Sequence, residues 1–81
     1  MGSITIFESG KIEQVTMDTA YAQPVKLGFN AAASGSVNVE FEDGSTAVLE
    51  VAVIQSLQPR VVKVITSSTT VTTTDIFVGY A

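Results

Sequence analysis

Few residues of this chain are of a type that does chemistry, and their spacing favours none of the usual reactions. Glu40, Glu42 and Asp43, with Glu50 nearby across an expected hairpin, form the acidic cluster. Paired carboxylates can cleave glycosides or hold calcium. Glycoside cleavage also needs a cleft, for which so short a chain has little room. Calcium loops carry denser Asp and Asn oxygens than this tip, so a solvated outer face is the expectation. Hydroxyls are plentiful, but a nucleophile needs a base in reach, and the chain has no His. Lys11, Lys26 and Lys63 lie in amphipathic stretches or turns and are expected to be solvated. Without Cys or His there is no disulfide, and the usual zinc ligands are missing. Gly35, Gly44 and Gly79 match no phosphate-binding fingerprint. The chain is therefore expected to be no enzyme, with no catalytic residue, cofactor or metal.

Two further groups could recognise a ligand. Tyr21, Phe29, Phe77 and Tyr80 could stack on a sugar or a base, although aromatics at strand spacing more often pack in a core or an interface. The run Thr69-Thr70-Val71-Thr72-Thr73-Thr74 could present a hydroxyl ladder. Flat Thr ladders depend on regular repeats, and the chain shows none. An ordinary strand with hydroxyls facing solvent or a neighbour is expected.

The elements that must carry these groups read as strands. Val and Thr favour pleated, half-buried backbone, and Gly, Ser, Asn, Asp and Pro interrupt them at short intervals. The pattern predicts one domain over residues 1–81, all-β, an antiparallel sandwich or open barrel of about six to seven short strands. Strands are predicted over residues 3–7 and 12–17, the latter with Val15 and Met17 inward. Another runs over residues 25–29 with Val25, Leu27 and Phe29 buried. Residues 30–35 form a loop. The best helix candidate, residues 17–22, is short and runs into Gln23-Pro24, so no helix is expected. Residues 54–59 break the alternation and form a connection. Residues 60–66 and 69–80 are the last two strands, separated by a turn at Ser67-Ser68.

One hairpin can be read to its register. Val37, Val39 and Phe41 alternate with Asn38, Glu40 and Glu42, and Ala47, Leu49, Val51 and Val53 form the apolar set downstream. A loop of Asp43-Gly44 alone would split the apolar residues between faces. A loop of Glu42-Asp43-Gly44 pairs Phe41 with Ser45, Val39 with Ala47 and Val37 with Leu49, all on one face. Because one face must be buried, the longer loop is predicted, with Gly44 at positive φ beside a bulge.

Composition limits the partners. Hydrophobic residues make up 46% of the chain and charged ones 15%, which leaves a solitary monomer short of charged surface. A domain this small cannot hide so much apolar area alone, so a homo-oligomer is expected. Val61, Ile65, Phe77 and Tyr80 are the expected interface residues, because their strands are apolar on both faces. A net charge of −4 disfavours nucleic acid. Met1-Gly2-Ser3-Ile4-Thr5-Ile6 lacks the basic region and apolar core of a signal peptide. No stretch approaches the ~20 apolar residues of a membrane span. The chain is expected to be made in the cytoplasm and to be soluble, with no membrane partner.

The segment from Gly35 to Tyr80 carries a resemblance. Val37-Asn38-Val39-Glu40-Phe41 is followed by Asp43-Gly44-Ser45-Thr46, then by Leu57-Gln58-Pro59-Arg60-Val61-Val62-Lys63-Val64. Ser67-Ser68-Thr69-Thr70-Val71-Thr72 and a closing Ile76-Phe77-Val78-Gly79-Tyr80 complete it. This order resembles small virion accessory proteins of tailed bacteriophages, of the head-decoration (cement) or spike-base type. The resemblance implies a β-structured structural protein of the virion that binds the major capsid protein, or another virion protein, and stabilises the assembled shell. A tail or spike-base component is the alternative within that family. A small carbohydrate-binding module using Tyr21, Tyr80 and the Thr-rich strand is the alternative outside it.

Overall fold

Aliphatic residues at alternate positions turn one face of most strands into a core. The computed structural model describes residues 12–80, and over them the chain is mostly β. Its strands are β1 (Ile12–Gln14), β2 (Lys26–Phe29), β3 (Ser36–Glu40), β4 (Thr46–Glu50), β5 (Lys63–Ile65) and β6 (Ile76–Gly79). They form two antiparallel three-stranded sheets, ordered β1-β6-β2 and β4-β3-β5. The strand and turn expected before residue 12 lie outside the described residues.

Alternation sends Val37 and Val39 of β3, Val64 of β5, Leu27 of β2 and Ile76 and Val78 of β6 into one core. Val15, Val25 and Val61 join them from the strand ends. The fully buried residues are aliphatic, and each contributes about 1.5–3 kcal/mol by leaving water. Phe29, Phe41, Tyr21 and Tyr80 pack at the margin of this core, partly exposed.

The β3–β4 hairpin has the predicted register. Val37 faces Leu49 and Val39 faces Ala47, and Phe41 N–H donates to Ser45 O at 2.8 Å. Gly44 closes the loop at φ 88°, a conformation that L side chains adopt only with strain. Asp43 Oδ1 accepts from both Ser45 N–H (3.0 Å) and Ser45 Oγ–H (2.6 Å), fixing the turn from its side chain.

The chain departs from the all-β expectation just after this hairpin. Val51–Leu57 is a helix, α1, where a continued strand through Val53 and then a connection were expected. The reason lies in the partner strand. Val51 N–H donates to Gly35 O at 3.1 Å, and before Gly35 the chain turns away into its loop. A strand running past that point would leave its N–H and C=O groups unpaired, whereas a helix satisfies them internally. Val51 and Ile54, at i and i+3, then share the buried side. Gln58 ends the helix at φ 48°, donating to Ile54 O at 2.7 Å, and Pro59 follows.

The other strands are shorter than expected. Residues 17–22 are neither helix nor strand, as the Gln23-Pro24 signal implied. They lie along β5, where Asp18 N–H donates to Val64 O and Tyr21 N–H to Val62 O, both at 2.7 Å. Val61 pairs with Val25 through two bonds of 2.8 Å, which joins the two sheets. Of residues 69–80, only Ile76–Gly79 form a strand, entered through a 3-10 turn at Thr73–Asp75. No helix among the described residues is long and apolar enough to cross a membrane.

Candidate functional site

The groups singled out for chemistry do not converge. Glu40 faces Thr46 near the hairpin loop, while Glu50 faces Ser36 at the opposite end of the ladder. Glu50 therefore does not join Glu42 and Asp43, contrary to the sequence expectation. No group of three or more metal-ligating side chains occurs among the described residues. Glu50 instead borders an open cleft of about 350 Å³ between residues 33–36 and the start of α1, beside Ser34, Ser36 and Gln55. One exposed carboxylate with hydroxyls and an amide offers hydrogen bonds but no acid–base pair.

The Thr run has a structural task that its composition did not announce. Where β5 ends, residues 69–71 continue alongside β3 and take over its hydrogen bonds. Thr69 Oγ1 accepts from Asn38 N–H at 2.9 Å and donates to Ile65 O at 2.6 Å. Thr70 Oγ1 accepts from Ser36 N–H at 2.9 Å, and Thr70 N–H returns a bond of 2.9 Å to Ser36 O. Val71 is buried beneath them. These two hydroxyls face the backbone of β3, not a solvent-exposed ladder.

The tyrosines are also engaged within the fold. Tyr21 Oη accepts from Thr16 N–H at 2.9 Å. Tyr80 Oη donates to Glu13 Oε2 at 2.7 Å. That bond, with burial and the Glu13 charge behind it, raises the phenol pKa to about 12. Asp18 accepts from Thr66 N–H at 2.9 Å and from Thr66 Oγ1–H at 2.5 Å. Those bonds, helped by Lys63, hold its carboxyl below the ordinary carboxylate range.

The four expected interface residues occupy three kinds of environment. Val61 has no exposed surface and belongs to this chain's own core, so the single chain offers none of it to a partner. Tyr80 lies at the core margin against Glu13. Ile65 and Phe77 are half-buried and point away from the core on different sheets. Ile65 and Val48 flank Asn38 on the outward face of β4-β3-β5. Phe77 lies between Gln14 and Gly28 on the outward face of β1-β6-β2, with Ile12 in the neighbouring row. Ile12 is 71% exposed and Val48 52%. Alternation alone turns Ile65 and Phe77 outward. It does the same for Val48, in a hairpin whose register was legible, and for Ile12, neither of which was among the expected interface residues.

Each outward face thus carries an apolar pair, Val48 with Ile65 on one sheet and Ile12 with Phe77 on the other. Comparison with models of known protein families, with curated proteins and with solved structures finds no match to this chain.

Proposed function

We propose that this chain is a structural protein of a bacteriophage virion, a decoration or cement protein that binds the assembled head shell and stabilises it. The observation that supports this is the pair of outward apolar faces, one on each sheet. A component seated between neighbours in a lattice needs contact surfaces on more than one side and no reactive group. Each contact is modest, and repetition over the shell raises the avidity. In this reading the two sheets form an open barrel, joined through Val25 and Val61, with β4 and β1 as its outer strands. The resemblance of the segment from Gly35 to Tyr80 to virion accessory proteins supplies the identity of the shell. In the carbohydrate-binding alternative Tyr21 and Tyr80 would offer ring faces alone, because their hydroxyls are bonded within the chain.

Particles stripped of the protein provide the test. Purified wild type is expected to rebind them to saturation and raise their resistance to heat or dilution. Ile65→Lys and Phe77→Lys, each placing a charge on one outward face, are expected to fold and to bind more weakly. Wild type that fails to bind stripped heads would remove the proposal, and binding to tails alone would move the protein to the tail.

A further inference from the structure

We infer that two copies of this chain associate by antiparallel pairing of their β4 strands about a twofold axis at Val48. The chain covers two of its edges in part: Asp18 bonds Val64 of β5, Tyr21 bonds Val62 just before it, and Val61 bonds Val25 beside β2. The remaining outer strands are β1, with three residues, and β4, with five. Among the described residues, nothing pairs with the outer edge of β4. That edge has no Lys, no Pro and no inward charge, and its single charged residue, Glu50, stands at its end.

The hydrogen-bond parity is fixed at both ends of the ladder. Phe41 N–H to Ser45 O and Val51 N–H to Gly35 O make the odd-numbered residues of β4 face β3. Thr46, Val48 and Glu50 therefore turn their N–H groups outward. The sequence Thr46-Ala47-Val48-Leu49-Glu50 is self-complementary about its centre. In the twofold register, Val48 exchanges N–H and C=O bonds with the partner's Val48. The N–H of Glu50 meets the C=O of the partner's Thr46, and the symmetric bond forms in return.

Side chains agree with that register on both faces. Outward, Val48 covers the partner's Val48, and each Glu50 stands beside a Thr, so no like charges meet. Inward, Ala47 and Leu49 are core-facing residues that remain partly exposed at the open edge. The register sets each Leu49 beside the partner's Ala47, which extends both cores. The occupant is therefore a second copy. The pairing specifies the contact between copies and rests on the proposed function only for its place in the virion.

The test is the mass of the 81-residue chain by sedimentation equilibrium over about a hundredfold concentration range, with amide exchange by NMR at both extremes. Wild type is expected to dimerise, with the Val48 amide protected only at high concentration. Val48→Lys puts two ammonium groups side by side and is expected to give a folded monomer. Thr46 is exposed, so its variants test register without endangering the fold. Thr46→Lys sets a cation beside each of the partner's Glu50 carboxylates and is expected to tighten the dimer about threefold to tenfold; Thr46→Glu weakens it by a similar factor. A strict monomer overturns the pairing, as does Val48 protection independent of concentration, which means the edge is covered within one chain. A dimer indifferent to all three variants overturns it too. A dimer that ignores stripped particles would instead refute the virion reading and leave the pairing standing.

Discussion

Gly35→Ala is the substitution whose cost can be built most fully from the structure. Gly35 sits at φ 115° where β3, α1 and the Thr run meet. Its carbonyl accepts from Val51 N–H, and an added Cβ would lie 2.5 Å from Thr70 Oγ1. Two costs follow. The backbone conformation is one that L residues rarely hold, worth about 1–3 kcal/mol. The Thr70 hydroxyl can escape by rotating about χ1, but it then abandons the Ser36 N–H, for about 0.5–1.5 kcal/mol. The steric cost is therefore capped at the value of that hydrogen bond, and the total comes to about 2–4 kcal/mol. Gly44 at φ 88° has nothing within 4 Å of its added Cβ, so Gly44→Ala carries the backbone cost alone. Urea unfolding should show a lower midpoint for both variants with unchanged m, Gly35→Ala being the worse by about 1 kcal/mol. Thr70→Ala alone should cost that same hydrogen bond. Introduced into Gly35→Ala, it should cost almost nothing more, because the bond is already lost. Full additivity of the two, or a Gly35→Ala no worse than Gly44→Ala, would refute the reasoning.

Three further outcomes are expected. Ile54→Ala, which empties a fully buried site on α1, should cost about 2–5 kcal/mol in the same assay, whereas Leu57→Ser, at a residue 73% exposed, should stay within about 0.5 kcal/mol. Tyr80 binds its proton more tightly folded than unfolded. Its contribution to stability is therefore complete below the ordinary tyrosine pKa near 10 and lost as pH rises towards about 12. Tyr80→Phe should remove that alkaline loss, read as urea midpoints measured across the alkaline range. Asp18 has the opposite sign, because its carboxyl is held down by Thr66. Its contribution is present above the ordinary carboxylate range and disappears as pH falls below it, so Asp18→Asn should flatten the acid side of the stability curve.

Legibility followed whether the deciding partner was near in sequence. The hairpin register was readable because Val37, Val39, Ala47 and Leu49 form a strict period of two around a single loop, and a slip of one residue would turn them all outward. The helix was not readable. Val51, Val53 and Ile54 suit a strand as well as a helix, and what decides is the end of β3 at Gly35, sixteen residues earlier (51 minus 35). The burial of Val61 was unreadable for the same reason. Its segment is apolar on both sides, and its backbone pairs with the distant Val25 within the chain's own core. Ile65 and Phe77 could be found, because alternation alone turns them outward. Of the strand expected over residues 69–80, only Ile76–Gly79 formed; its Thr-rich first half did not, because Thr is a good strand residue whose hydroxyl can also replace a strand's hydrogen bonds.

That last substitution is how so short a chain finishes its sheets. β5 has three residues and β3 has five, so β3 runs beyond its partner. An unpaired N–H would cost about 1–3 kcal/mol at the part-buried Asn38 bond and about 0.5–1.5 kcal/mol at the exposed Ser36 bond. Thr69 meets the need by accepting from Asn38 and donating to Ile65, and Thr70 by accepting from Ser36. Thr69→Val keeps the shape and removes both bonds of the first residue, so it should destabilise by about 1–3 kcal/mol. Thr74→Val, at an exposed position of the same run, should change stability by less than about 0.5 kcal/mol. Amide exchange gives the local readout: in Thr69→Val the Asn38 N–H should lose protection ahead of its neighbours Val37 and Val39, whose bonds run to β4. If the two variants were equal, and Asn38 stayed protected, the run would be the plain polar surface its composition suggests. The ends of β3 would then have to be held by packing of Val37, Val39 and Val71 alone.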